Sequence, residues 1–182
     1  MKKLLRKISH FFAGRKIKKD LLNRRVQRET VTFEEAKTVG VLFTAHTQED
    51  IKTALDYIQE LKNKSKSVEY IGYIAIKDYK KIHKHEEKDP HYIFDIDFDF
   101  FHRPKKELIE KFYKQNFDLL ISLNYTNQFS INYISSLSAA RLRVGKFSMN
   151  NVNAYDFMID DKGESMSSYI QALNHYLNIL KK

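Results

Sequence analysis

Apolar residues in this chain fall into short unbroken runs set between helical stripes and polar turns. That is the pattern of strands buried on both faces, with helices packed over them. Residues 38–45, TVGVLFTA, predict a first strand. HTQED follows, where Thr47 and Asp50 stand at capping-box spacing. The helix behind them places Ile51, Ala54, Leu55, Ile58 and Leu61 on one face before KNKSKS ends it. Residues 68–76, VEYIGYIAI, predict a second strand and complete a βαβ unit with a right-handed crossover. A polar connection spans 77–91, and YIFDIDFDF at 92–100 predicts a third strand. Pro104 opens the next helix, where its missing N–H costs little, with Leu108, Ile109 and Phe112 turned inward. FDLLISL at 117–123 predicts a fourth strand, and a helix over 129–140 buries Ile134 and Leu137. Short strands are expected at 142–147 and 155–160. A last helix over 164–181 shows Met166, Tyr169, Ile170, Leu173, Leu177 and Leu180 at helical spacing. The expected fold is α/β: a Rossmann-like three-layer sandwich with a mostly parallel sheet.

The first thirty residues read differently. Leu4, Leu5, Ile8, Phe11 and Phe12 make one helical stripe, Gly14 interrupts it, and Ile17, Leu21, Leu22 and Val26 begin another. Two short helices, or one helix bent at Gly14, are expected. The chain thus divides into a basic amphipathic helical arm, 1–30, and a single α/β domain, 31–182.

Charge sharpens that division. Residues 1–28 hold eleven Lys and Arg against one acid, Asp20, while the remaining residues hold 21 cations against 22 anions. The net +9 is therefore a property of the first segment alone. A charge-balanced body behind a concentrated cationic segment points to a polyanionic partner. Arg6, Lys7 and His10 break the apolar run that a secretory signal needs, although a mitochondrial presequence shares the basic, acid-poor character. No window approaches the ~20 apolar residues of a membrane span. There is no cysteine, which excludes disulfides and thiolate metal sites and suits a reducing compartment.

Candidate chemistry lies in four places. Asp95, Asp97 and Asp99 alternate with Phe94, Ile96, Phe98 and Phe100, so a strand would set three carboxylates on one face. Clustered carboxylates suit magnesium, and the same alternation also describes an edge strand with one wet face. His83, His85 and His91 stand with Glu86, Glu87 and Asp89 in a polar loop, which reads either as a zinc clamp without a fourth ligand or as a hydrated loop. Ligand sites of open α/β sheets lie at the carboxyl ends of strands. The residues expected there are Thr44, His46 and Thr47 after the first strand, and Asn124, Tyr125, Thr126 and Asn127 after the fourth. Neither loop contains the glycines of a dinucleotide fingerprint or a phosphate loop. Finally, FFHRPKK sets Phe100 and Phe101 beside His102, Arg103, Lys105 and Lys106, a mixture that stacks on bases and meets phosphates.

Residues 117–147, FDLLISLNYTNQFSINYISSLSAARLRVGKF, together with VGVLFTA, DFDFFHRPKKELIEKF and YDFMI, are similar to an uncharacterised bacterial family of small basic proteins. That resemblance implies a fold and no activity. Residues 117–147 also resemble the N-terminal half of heptosyltransferase-type glycosyltransferases, which carry a second Rossmann-like domain for the nucleotide sugar. This chain is too short to hold one. The kinship would imply a lone domain that kept the sheet and lost the reaction.

The functional expectation is a cytoplasmic, non-enzymatic RNA-binding protein. It would associate with ribosomal RNA, and with ribosomal proteins, on the ribosome or an assembling subunit. The phosphate contacts are assigned to Lys2, Lys3, Arg6, Lys7, Arg15, Lys16, Lys18, Lys19, Arg24, Arg25 and Arg28. Arg103, Lys105, Lys106, Arg141, Arg143 and Lys146 extend the set. No catalytic residue, metal ligand or cofactor is assigned. The alternatives are a peripheral protein held on an anionic membrane by the same arm, or a degenerate glycosyltransferase-like domain binding a small ligand.

Overall fold

The computed structural model describes residues 28–77, 79, 89–149, 153–163 and 165–179. Six strands run parallel in one sheet: β1 (Thr38–Ala45), β2 (Ser67–Ile74), β3 (Tyr92–Ile93), β4 (Leu119–Leu123), β5 (Leu142–Lys146) and β6 (Phe157–Ile159). Their order across the sheet is β3-β2-β1-β4-β5-β6, that of the doubly wound Rossmann fold. Among the described residues, four helices cover the sheet: α1 (Gln48–Asn63), α2 (Lys106–Tyr113), α3 (Phe129–Leu137) and α4 (Met166–Ile179). The parallel arrangement expected from sequence thus extends to every described strand. Among the described residues, no helix is long and apolar enough to cross a membrane.

The continuous apolar runs are explained by the two cores they serve. On β1, Val39, Val41, Phe43 and Ala45 face one core with α1 and α4, which contribute Ile51, Ala54, Ile58, Leu61, Tyr169, Leu173 and Leu177. Leu42 faces the other core, with Ile109, Phe112 and Tyr113 of α2 and Ile131, Ile134 and Leu137 of α3. A central strand buried on both faces is apolar through its middle, and its two threonines, Thr38 and Thr44, stand toward its ends. Two glycines make room for rings in this packing. A Cβ at Gly72 would lie 2.2 Å from the Phe43 ring, and one at Gly145 would lie 2.4 Å from the Tyr155 ring.

α1 starts as its sequence predicts. Thr47 Oγ1 accepts the Asp50 N–H at 3.0 Å, and Asp50 Oδ2 accepts the Thr47 N–H at 3.0 Å. Asp50 also takes the His46 N–H at 2.9 Å, so the first turn is closed by the helix's own carboxylate.

Three expectations are corrected. Pro104 does not open the helix: it pairs with Phe98 in an antiparallel bridge, and α2 begins at Lys106. The third strand was expected over 92–100 but pairs only through Tyr92 and Ile93, and a 3-10 turn over Asp95–Asp97 follows it. The alternating aspartates bend the chain by accepting nearby N–H groups: Asp97 takes that of Phe94 at 2.9 Å, and Asp99 those of Phe101 and Arg103. In α2, Leu108 is 41% exposed, and Tyr113 takes its place inside with Ile109 and Phe112.

Candidate functional site

β1 and β4 are neighbours, and the helices that follow them lie on opposite faces of the sheet. Their carboxyl ends therefore form the topological switch point, where open α/β sheets bind ligands. The structure brings the two predicted loops together there. Thr44 Oγ1 donates to Asn124 Oδ1 at 3.0 Å. His46 Nε2 lies 3.2 Å from Thr126 Oγ1, and the Tyr125 hydroxyl donates to Asp50 at 3.3 Å. These three ties join the loops that follow β1 and β4.

Below the ties runs a neutral polar network. Asn124 Nδ2 donates to the Gln128 carbonyl at 2.9 Å and to Asn132 Oδ1 at 3.0 Å, while Asn124 Oδ1 takes the Gln128 N–H at 2.9 Å. This side chain staples the turn from β4 into α3, in which Asn127 adopts a left-handed conformation (φ 56°). Tyr155, from the connection between β5 and β6, donates to Asn132 Oδ1 at 2.6 Å and lies 2.9 Å from Ser122 Oγ. Burial pushes its phenol up to about 12, so it stays neutral. Sequence reading missed Ser122, Asn132 and Tyr155, which lie on three separate elements and show no local motif. The network joins β4, α3 and the β5–β6 connection through amides and hydroxyls. Beside it, Ser130 Oγ in the first turn of α3 is buried without a hydrogen-bond partner among the described residues.

The three aspartates share no face. Asp95 accepts the Tyr73 hydroxyl, Asp97 caps its own turn, and Asp99 is bound to Arg103 at 2.5 Å. Tyr73 is pushed well above the ordinary phenol range by burial and by Asp95. His83 and His85 lie outside the described residues. His91 Nδ1 contacts Asp89 at 2.7 Å, and the ring stacks on Tyr70 at 4.4 Å. Among the described residues, no group of three or more His, Asp or Glu side chains is placed to hold a metal ion.

The cations assigned to phosphate divide sharply. Lys2, Lys3, Arg6, Lys7, Arg15, Lys16, Lys18, Lys19, Arg24 and Arg25 lie outside the described residues. Arg28 is the first that the structure places, and it is clamped: its guanidinium donates to the carbonyls of Ala140 and, at 3.0 Å, Ser138, with Asp156 at 3.8 Å. Burial, followed by the neighbouring Arg143, lowers its pKa to about 10 against the pull of Asp156, so it remains charged at neutral pH. Glu29 continues the anchor, its N–H donating to the Arg141 carbonyl at 3.1 Å and its carboxylate meeting the Arg141 guanidinium at 2.6 Å. Arg141 also reaches Asp118 at 3.1 Å. The basic segment is thus tied to the body just before β5, at the amino-terminal edge of the sheet.

Arg143 belongs to the interior. It is 7% exposed, grips Asp156 with two nitrogens at 2.9 and 2.8 Å, and donates to the carbonyls of Ser135 and Asn153. Its place in a surface patch is corrected accordingly. Lys146, at the far end of the same strand, donates to the Gly163 carbonyl at 3.3 Å. Arg103, Lys105 and Lys106 lie past the carboxyl end of β3, at the opposite edge of the sheet from the Arg28 clamp. Of the cations assigned within the body, Arg141 stands at the root of the basic segment, while Arg103, Lys105 and Lys106 lie apart from it.

No curated protein and no solved structure matches the chain, so the likeness of residues 117–147 to heptosyltransferase-type enzymes gains no support. A family model, described as a family of unknown function (DUF6913), matches residues 10–180 and so takes in most of the basic segment together with the sheet. By that match, which spans far more than half of its length, the chain belongs to this family.

Proposed function

We propose that this chain is a cytoplasmic RNA-binding protein whose basic N-terminal segment meets phosphates while the α/β body holds that segment in place. Ribosomal RNA, on the ribosome or an assembling subunit, is the target we favour, because it is the most abundant polyanion of that compartment. One observation carries the reading: residues 1–28 hold eleven cations against one anion, while the rest of the chain is balanced. Two features support it. Arg103, Arg141 and Arg143 already have carboxylate partners within the body, so the surplus positive charge resides in the leading segment. The Arg28 and Glu29 contacts also fix the root of that segment on the body.

Each phosphate contact releases a condensed counterion, so affinity falls with salt. Six contacts give a log–log slope of roughly −4 to −5.5. Recovery of partners from lysate by the full chain, at low and high salt and with or without nuclease, tests the proposal. Partners should be lost with nuclease and with salt. Recovery of the same partners after RNA is destroyed contradicts it, and binding to anionic vesicles in place of RNA would reassign the segment to a membrane surface.

A further inference from the structure

The connection from β3 to α2 displays an apolar residue where folding gives it no reason to. Phe98 and Pro104 form an antiparallel bridge, and Asp99 N–H donates to the Arg103 carbonyl at 2.9 Å, which makes a small hairpin of the residues between them. Its base is anchored, with the Phe98 ring packed edge-on to Tyr73 at 4.9 Å. Its tip is locked by one carboxylate. Asp99 accepts the N–H groups of Phe101 at 2.8 Å and Arg103 at 3.0 Å, and the Arg103 Nε at 2.8 Å. His102 turns the chain in a left-handed conformation (φ 57°). The Arg103 guanidinium lies 5.0 Å from the centre of the Phe101 ring. Phe101 in turn meets Phe100 edge-on at 5.5 Å.

All this order leaves Phe100 77% exposed. Single exposed apolar residues are ordinary. An aromatic ring displayed at the tip of a hydrogen-bonded hairpin, and used by no core, is a ready contact surface. The surrounding charge indicates what would cover it. Asp97 and Asp99 face the loop's own N–H groups and Arg103. Lys105 and Lys106 follow at the base of the hairpin; Lys106 stands 3.4 Å from Glu110, but its side chain is 71% exposed, so that pair is a weak one that a phosphate can displace. A flat ring with lysines at its foot matches an unpaired base and the phosphates beside it.

We infer that this hairpin is a second RNA contact, selective for single strands, in which Phe100 stacks on an unpaired base while Lys105 and Lys106 meet its flanking phosphates. The inference rests on the RNA reading above. It adds a strand preference that the basic segment alone would not give, because charge meets duplex and single strand alike.

The chain has no tryptophan, so Phe100→Trp installs one fluorophore at the tip of the otherwise intact protein. Titration with a short oligouridylate should quench it, and a duplex of equal length should not. In parallel, Phe100→Ala should weaken oligouridylate binding by about 5- to 150-fold, the range for loss of one stacked base, and leave duplex affinity and the salt slope unchanged. RNA binding that is steeply salt-dependent, with the tryptophan unquenched and Phe100→Ala as tight as the parent, overturns the hairpin contact and leaves the basic-segment reading standing. No binding to either RNA overturns both. A fluorescence blue shift on anionic vesicles with no response to oligouridylate also overturns the inference, in favour of a lipid surface.

Discussion

Asp118 is where β1, β5 and the root of the basic segment are joined, and replacing it by Asn is the sharpest stability test of that junction. Oδ2 accepts the N–H groups of Lys37 at 2.9 Å and Thr38 at 3.0 Å, and the Thr38 hydroxyl at 3.0 Å, while Oδ1 takes Arg141. Burial raises the pKa of this carboxyl, but the hydrogen bonds from Thr38, Lys37 and Arg141 outweigh it and bring it to about 2, against an ordinary 3.8. A carboxylate held that low contributes about 2.4 kcal/mol at neutral pH if nothing screens it. The side chain is 21% exposed, and water weakens the contribution to about 1–2 kcal/mol. The sign follows from the depressed folded value. The stabilisation is fully present above the unfolded pKa of about 4 and is lost as pH falls toward 2. Urea unfolding of the parent and of Asp118→Asn at a series of pH values should show a gap of about 1–2 kcal/mol at pH 7 that falls to about half by pH 3. A gap that stays constant over this range, or no gap at pH 7, refutes the assignment.

Other variants test the interior. Arg143→Met should cost about 3–5 kcal/mol in chemical unfolding, because Asp156 and two carbonyls lose a buried partner; a cost near zero would return Arg143 to the surface. Gly145→Ala should cost about 1–3 kcal/mol, since its Cβ would stand 2.4 Å from the Tyr155 ring; unchanged stability would show that the ring moves freely. The Tyr169 hydroxyl is buried with no hydrogen-bond partner among the described residues. Tyr169→Phe should therefore raise stability by about 1 kcal/mol in the same assay, and a comparable loss would reveal a partner for that oxygen.

Where local pattern and tertiary demand agreed, sequence was a sound guide. The runs at 38–45 and 119–123 are apolar because both faces of β1 and β4 are covered, and the Thr47–Asp50 pair closes α1 as its spacing requires. It misled where side chains had a second use. The alternation at 92–100 has the period of a strand, but aspartates also bind local N–H groups, and here that competing chemistry makes turns. Arg143 looked like any surface cation because its partner, Asp156, lies on another segment and only the fold brings them together. The strand-end loops were readable as candidates from the strand–helix order, but that β1 and β4 are neighbours comes from the sheet order. The network through Tyr155 and Asn132 was not readable, since it depends on three elements meeting. The charge asymmetry of the first 28 residues needed no structure to be seen, and the Arg28 and Glu29 contacts add where that segment joins the body.

The central claim is that the leading cations bind phosphate, and RNA affinity of the full chain measured against salt tests it most directly. The account predicts a log–log slope of roughly −4 to −5.5, made shallower by about 3 when Arg15, Lys16, Lys18 and Lys19 are changed together to Gln. Affinity that is flat with salt, or a slope unmoved by those four substitutions, would contradict it.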